Sequence, residues 1–147
     1  MKLTILTTQT VHHTFFVKEL IKIGIEVNVF LESNNQKPFP FQTFHDFEKE
    51  RDIYEIEKWF SGKNTKIEDI AKTKKFKSIN SLDAINLIKG EETNISIVFG
   101  TGKINENFIN SYRGTILNLH GGDPEYYRGL DSHLWAIYHK DFNKITT

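Results

Sequence analysis

The chain has 147 residues, 38% of them hydrophobic and 26% charged, and its 19 Lys and Arg are balanced by 19 Asp and Glu. That length and apolar content fit one globular domain with a sizeable core and exclude a disordered chain. Zero formal charge leaves no global field to draw the chain onto nucleic acid or an anionic membrane, and the lack of cysteine excludes disulfides and thiolate zinc sites.

The first residues, MKLTILTTQT, lack the apolar core of a signal peptide. No window approaches the about 18 apolar residues of a membrane span, so a cytoplasmic protein is expected. Lys2 to Thr8 reads as a short apolar strand, and the hydroxyls of Thr7 to Thr10 offer caps for a helix. From Val11 to Ile23 the residues Phe16, Leu20 and Ile23 recur at helical spacing, with Val17 and Ile21 widening the stripe. Gly24 supplies the stop, and Ile25 to Leu31 reads as a second strand. A strand, a helix, a glycine and a strand within about 30 residues predict a βαβ unit with parallel strands.

Asn34 to Pro40 is expected to be a loop, kept extended by its two prolines. Thr43 to Phe60 predicts a helix with Phe44, Phe47, Ile53, Ile56 and Phe60 on one face, Trp59 packing beside them, and Ser61-Gly62 ending it. Lys63 to Lys77 reads as a solvated basic run around a short helix at Ile67 to Lys72. Ser81 caps a helix over Leu82 to Lys89 that Gly90 ends, and Thr93 to Phe99 is a buried strand. Gly100-Thr101-Gly102-Lys103 lacks the spacing of a phosphate loop and of a dinucleotide motif, and it reads instead as a crossover that lets a ligand approach the backbone. A short helix over Asn105 to Asn110, a strand over Thr115 to His120 and a helix over Asp131 to His139 follow, with a further strand starting at Lys144. Four strands alternating with helices predict a doubly wound, mostly parallel α/β sheet with helices on both faces.

On a strand, side chains two apart share a face, so Asn118 and His120 are expected to project side by side where the strand ends. Open α/β sheets place ligand sites at such ends. An isolated Asn or His there is more often a satisfied polar residue than a catalyst, and it is their spacing in front of GGDPEYYRG that favours a site. No His, Asp or Glu cluster has metal-ligand spacing.

Asn118-Leu119-His120, followed by Gly121-Gly122-Asp123-Pro124 and Tyr127-Arg128-Gly129, resembles the signature of the formyltransferases that use 10-formyltetrahydrofolate. The following LDSHLWAI looks closest to the branch that modifies sugars. The resemblance implies a Rossmann-like catalytic domain spanning the chain, and transfer of a formyl group to a primary amine, expected on a nucleotide-linked amino sugar. It makes Asn118 and His120 catalytic, the amide as hydrogen-bond donor to the developing oxyanion and the imidazole as its neighbour that moves protons. Thr101, Gly102 and Ile104 would line the folate pocket, and His13, Gly121, Gly122 and Arg128 would meet the acceptor. Adjacent histidines at a helix start are as often plain surface residues, and Arg128 in its turn can equally fix the loop. The family's third catalytic residue, an aspartate in a later loop, is expected beyond residue 147. Asp141 follows His120 too closely to take that role, so the domain is expected to be truncated. An acceptor-binding or dimerising C-terminal region, and with it a homodimer, belongs to the full-length form on this reading. Methionyl-tRNA formylation is the second enzyme reading, disfavoured by the neutral charge. A catalytically incomplete module that binds folate or nucleotide is the alternative from another class.

Overall fold

A computed structural model describes residues 1–33, 46–129 and 131–146. The chain divides into two compact units, Met1–Ile116 and Leu117–Thr147.

In the first unit the apolar run Lys2–Thr7 has no side to turn to water and becomes β1, the central strand of the sheet. Thr10 caps α1, Val11–Lys22, its hydroxyl accepting from the His13 N–H. Gly24, at φ +84°, turns the chain into β2, Glu26–Glu32. Further along lie α2, Asp46–Phe60, a 3-10 turn at Ile67–Asp69, and β3, Lys72–Phe76. The Ser81-capped α3, Leu82–Lys89, precedes β4, Ile95–Phe99, then α4, Glu106–Ser111, and β5, Thr115–Asn118. The strand order is β3-β2-β1-β4-β5. β1 pairs in parallel with β2, Lys2 opposite Glu26, and with β4, Thr4 opposite Ser96, while β2 pairs in parallel with β3, Asn28 opposite Lys72. This is the doubly wound, Rossmann-like α/β arrangement, and its order reverses between β1 and β4.

Strand alternation sorts the core into two layers. Leu3, Ile5, Val27, Val29 and Leu31 pack with Val17 of α1 and Ile67 on one face of the sheet. Leu6, Phe30 and Val98 pack with Ile85 and Ile88 of α3 and Phe108 of α4 on the other. Covering a side chain of this size stabilises by about 1.5–3 kcal/mol. The buried hydroxyls of Thr4 on β1 and Thr93 just ahead of β4 bond each other at 2.6 Å.

Two expectations change in this unit. A fifth strand, β3, stands where a solvated basic run was expected, because an edge strand can carry lysines on its exposed positions and still pair along one side. On α2, Phe47 and Ile53 are exposed. Arg51, Asp52, Glu55, Ile56, Trp59 and Phe60 are buried or half-buried, with Trp59 stacked on Phe15 at 4.4 Å as packing was expected to place it. The predicted loop at 34–40, the start of the predicted helix at 43–45 and residue 147 lie outside the described residues.

In the second unit, α5 runs over Ser132–Tyr138 and buries Ser132 and Ala136. The expected strand from Lys144 is reduced to an isolated antiparallel bridge between Gly122 and Ile145, after a 3-10 turn at Phe142–Lys144. Among the described residues, no helix is long and apolar enough to cross a membrane.

Candidate functional site

Within the first unit, the reversal of strand order brings together the exits of β1 and β4, the place where open α/β sheets bind ligands. Hydroxyls at the end of β1 and just beyond it tie the two exits: Thr7 donates to the Phe99 carbonyl at 2.7 Å and Thr8 to the Gly100 carbonyl at 3.2 Å. His13 is inside this corner, only 4% exposed, with its ring 4.2 Å from that of Phe99. Its Nδ1 lies 3.0 Å from the Thr8 carbonyl oxygen, which can only accept, so Nδ1 carries the proton. Burial, and after it the neighbouring His12, lowers the His13 pKa to about 4. The ring is therefore neutral at pH 7 and packed, which makes His13 part of the wall of this corner.

The loop after β4 is braced from two sides. Glu32, at the end of β2, accepts the Gly102 N–H on Oε2 at 2.7 Å and the Ile79 N–H on Oε1 at 2.9 Å. Asn80 donates to the Lys103 carbonyl at 2.8 Å and accepts the Asn105 N–H at 2.9 Å. Thr101 is half-buried and Gly102 is exposed, while the Ile104 side chain packs against the core layer that holds Phe108. A cavity of about 180 Å³ nearby is lined by Gln9, Leu31, Glu32, Ser33 and Lys75. Three of its polar side chains already have partners: Gln9 bonds Thr14 and the Ile67 N–H, Glu32 the two amides, and Lys75 pairs with Glu68.

Sequence reading overlooked Glu55, which α2 buries against the start of α1. Its Oε2 has no hydrogen-bond partner and stands 3.7 Å from His12 Nδ1, while Arg51 Nε is 3.8 Å from Oε1. Burial raises its carboxyl pKa above the ordinary range, against the pull of Arg51.

The second unit holds the Asn-x-His motif. Asn118 is the last residue of β5 and is exposed; His120 is half-buried. Because the strand ends at Asn118, the pleat does not orient His120. Its ring is fixed instead by its own chain, with Nδ1 2.6 Å from the Gly122 carbonyl oxygen. A carbonyl only accepts, so Nδ1 carries the proton, and in the neutral ring Nε2 keeps its lone pair.

No protein-family model matches the chain, and no curated protein matches it.

The remaining motif residues shape the loop. Gly121 lies under His133, where a Cβ would stand 2.9 Å from Nδ1, and Gly122 is held against Ser132 and Tyr127, each 3.0 Å from where its Cβ would be. Both glycines let the loop close on α5. Arg128 Nε donates to the Pro124 carbonyl at 2.8 Å, bracing the turn with part of its guanidinium. Asp123 takes the Glu125 N–H on one carboxylate oxygen and the Lys144 ammonium on the other, each at 3.0 Å. Asp141 Oδ2 accepts from the Tyr127 hydroxyl at 3.4 Å. Among the described residues, no group of three or more His, Cys, Asp or Glu is placed to hold a metal ion.

Proposed function

We propose that the chain is the catalytic part of an N-formyltransferase that moves a formyl group from 10-formyltetrahydrofolate to a primary amine of a nucleotide-linked amino sugar. The observation that carries this reading is His120: in the motif Asn118-Leu119-His120 its Nδ1–H is held by the Gly122 carbonyl, which leaves Nε2 as a proton acceptor. The resemblance of LDSHLWAI to the sugar branch of that family supplies the substrate class.

The residues suit the reaction. An attacking amine must shed a proton as its nitrogen bonds the formyl carbon, and a neutral imidazole with a free Nε2 takes it. The formyl oxygen gains negative charge at the same moment, and the exposed Asn118 amide donates a hydrogen bond to it. The C–N bond to the folate then breaks, and the proton on His120 is returned to the departing nitrogen. Donor binding is assigned to Thr101, Gly102 and Ile104; the exposed, braced backbone at Gly102 suits it, whereas Ile104 contributes by packing the loop inward. For the acceptor, Arg128 offers the rest of its guanidinium. His13 contributes by walling the corner of the first unit, and Gly121 and Gly122 by letting the loop of the second close on α5.

Calorimetric titration with 5-formyltetrahydrofolate, a stable analogue of the donor, tests this reading. Saturable binding together with formyl transfer to an amino-sugar nucleotide, abolished by Asn118→Ala plus His120→Ala, is the expected result. A folded chain that neither binds the analogue nor forms a formylated product overturns it.

A further inference from the structure

The acidic residue at the exit of β2 has a use in this fold that differs from its common one. In dinucleotide-binding sheets an Asp or Glu about 20 residues beyond the glycine turn takes the ribose hydroxyls. Glu32 sits at the corresponding strand end, but both its oxygens are held by main-chain amides: Gly102 N–H in the loop after β4 and Ile79 N–H in the loop before α3. A carboxylate that bridges two backbone amides makes charge-assisted bonds, stronger than those between neutral groups. The Asn80 side chain joins the same two loops a second time, donating to the Lys103 carbonyl 23 residues away. Asn80 completes the frame by accepting the N–H of Asn105, the N-cap residue of α4.

From this geometry we infer that Glu32 is a positioning residue for ligand binding: it holds the Gly100–Asn105 loop in the conformation that receives the formyl donor, with Asn80 as its partner. This rests on the donor assignment made above for Thr101 and Gly102. Glu32 touches no ligand on this reading. It acts by removing the conformational freedom of a glycine-flanked loop before binding, so that the ligand does not have to order it. Gly102 is the position that most needs this. Glycine loses more backbone freedom on ordering than any other residue, and its exposed N–H has the carboxylate for a partner.

The test compares wild type, Glu32→Gln and Asn80→Asp. Glutamine keeps one acceptor oxygen but turns an NH₂ toward the second amide. Asn80→Asp keeps the acceptor for Asn105 and loses the donor to Lys103, and so loosens the same loop should the first variant fail to fold. Two quantities are measured: hydrogen exchange at the Gly102 amide and binding of 5-formyltetrahydrofolate by calorimetry. We expect faster exchange at Gly102 and binding about tenfold weaker in Glu32→Gln, the effect of losing one charge-assisted hydrogen bond, in a variant whose melting transition stays cooperative. Binding by Glu32→Gln as tight as by wild type, with Gly102 exchange accelerated, overturns the inference and leaves the function standing. Failure of the wild-type chain to bind removes the functional reading, and this inference with it.

Discussion

Gly100 lies directly over the ring of His13: a Cβ on it would stand 2.7 Å from Nε2, far inside contact distance. Its φ of +76° adds a second reason for glycine, since L side chains rarely adopt that conformation. Gly100→Ala must therefore displace a ring that is packed on Phe99 and bonded to Thr8. Gly24 separates the two effects, because it has φ +84° and nothing within 4 Å of where a Cβ would go. Gly24→Ala is expected to cost about 1–2 kcal/mol from backbone strain alone, and Gly100→Ala about 2–4 kcal/mol from strain plus overpacking. Urea denaturation of the two variants measures the difference, and equal losses would show that the His13 ring yields freely.

The same ring makes stability depend on pH in a defined window. His13 has a folded-state pKa of about 4 against an ordinary 6.5, lowered by burial first and by His12 second. Between those values the unfolded chain binds a proton that the folded chain refuses, so stability falls as pH drops from 6.5 to 4 and is fully present above 6.5. The contribution is on the order of 3 kcal/mol at its largest. His13→Asn keeps a donor for the Thr8 carbonyl but cannot take up the proton. Denaturant midpoints measured from pH 7 to pH 4 are expected to fall more steeply for wild type than for this variant; parallel curves would assign the acid loss to other groups.

The fold was legible where burial on two sides forces a run of apolar residues. Lys2 to Thr8 and Ile25 to Leu31 could be read as parallel strands with the helix between them, because nothing but strand and helix periods fits their spacing. Lys72–Phe76 was not legible as a strand, since the lysines that keep an edge from pairing with other chains are the residues that read as a solvated run. Burial of His13 did have a signal: residues 13, 17 and 20 lie at helical spacing, so His13 shares the face of Val17 and Leu20. Glu32 had none, for its partners come from loops far away in sequence, and Glu55 showed only an ordinary i,i+4 pairing with Arg51, while His12, its other neighbour, lies on α1. Asn118 and His120 stood out from their spacing, but the pleat that was to align them ends at Asn118, and it is the Gly122 carbonyl, brought back by the folded loop, that sets the His120 ring.

Within the second unit, Asp123 holds the chain that follows α5. Its carboxylate is drawn below the usual range by the Glu125 N–H first and the Lys144 ammonium second, and the Lys144 carbonyl accepts the Asp123 N–H at 2.8 Å. Lys144 also stands 3.6 Å from the centre of the Tyr126 ring. A lowered folded pKa means that this contribution is present above the ordinary carboxylate range and is lost as pH falls through the lowered value. Asp123→Asn should speed hydrogen exchange at the Asp123 and Thr146 amides at pH 7 and remove their extra acceleration in acid. Unchanged exchange would show that the Gly122 to Ile145 bridge holds the segment unaided.

Asn118 is the position where the proposed chemistry separates from stability. It is exposed at the end of β5, so replacing it should change folding stability by less than about 0.5 kcal/mol. As donor to the developing oxyanion it contributes only in the transition state, and Asn118→Ala is expected to lower kcat by about a hundredfold to a thousandfold while affinity for the folate analogue holds within about twofold. Asn118→Asp gives a sharper version, because it keeps the shape and replaces the donor by a negative acceptor that repels the oxyanion. Steady-state formyl transfer measured alongside calorimetric binding distinguishes the possibilities. If aspartate restores the rate that alanine loses, the amide acts through its oxygen or its bulk; if kcat and folate affinity fall together, Asn118 binds the donor in its ground state and does not stabilise the oxyanion.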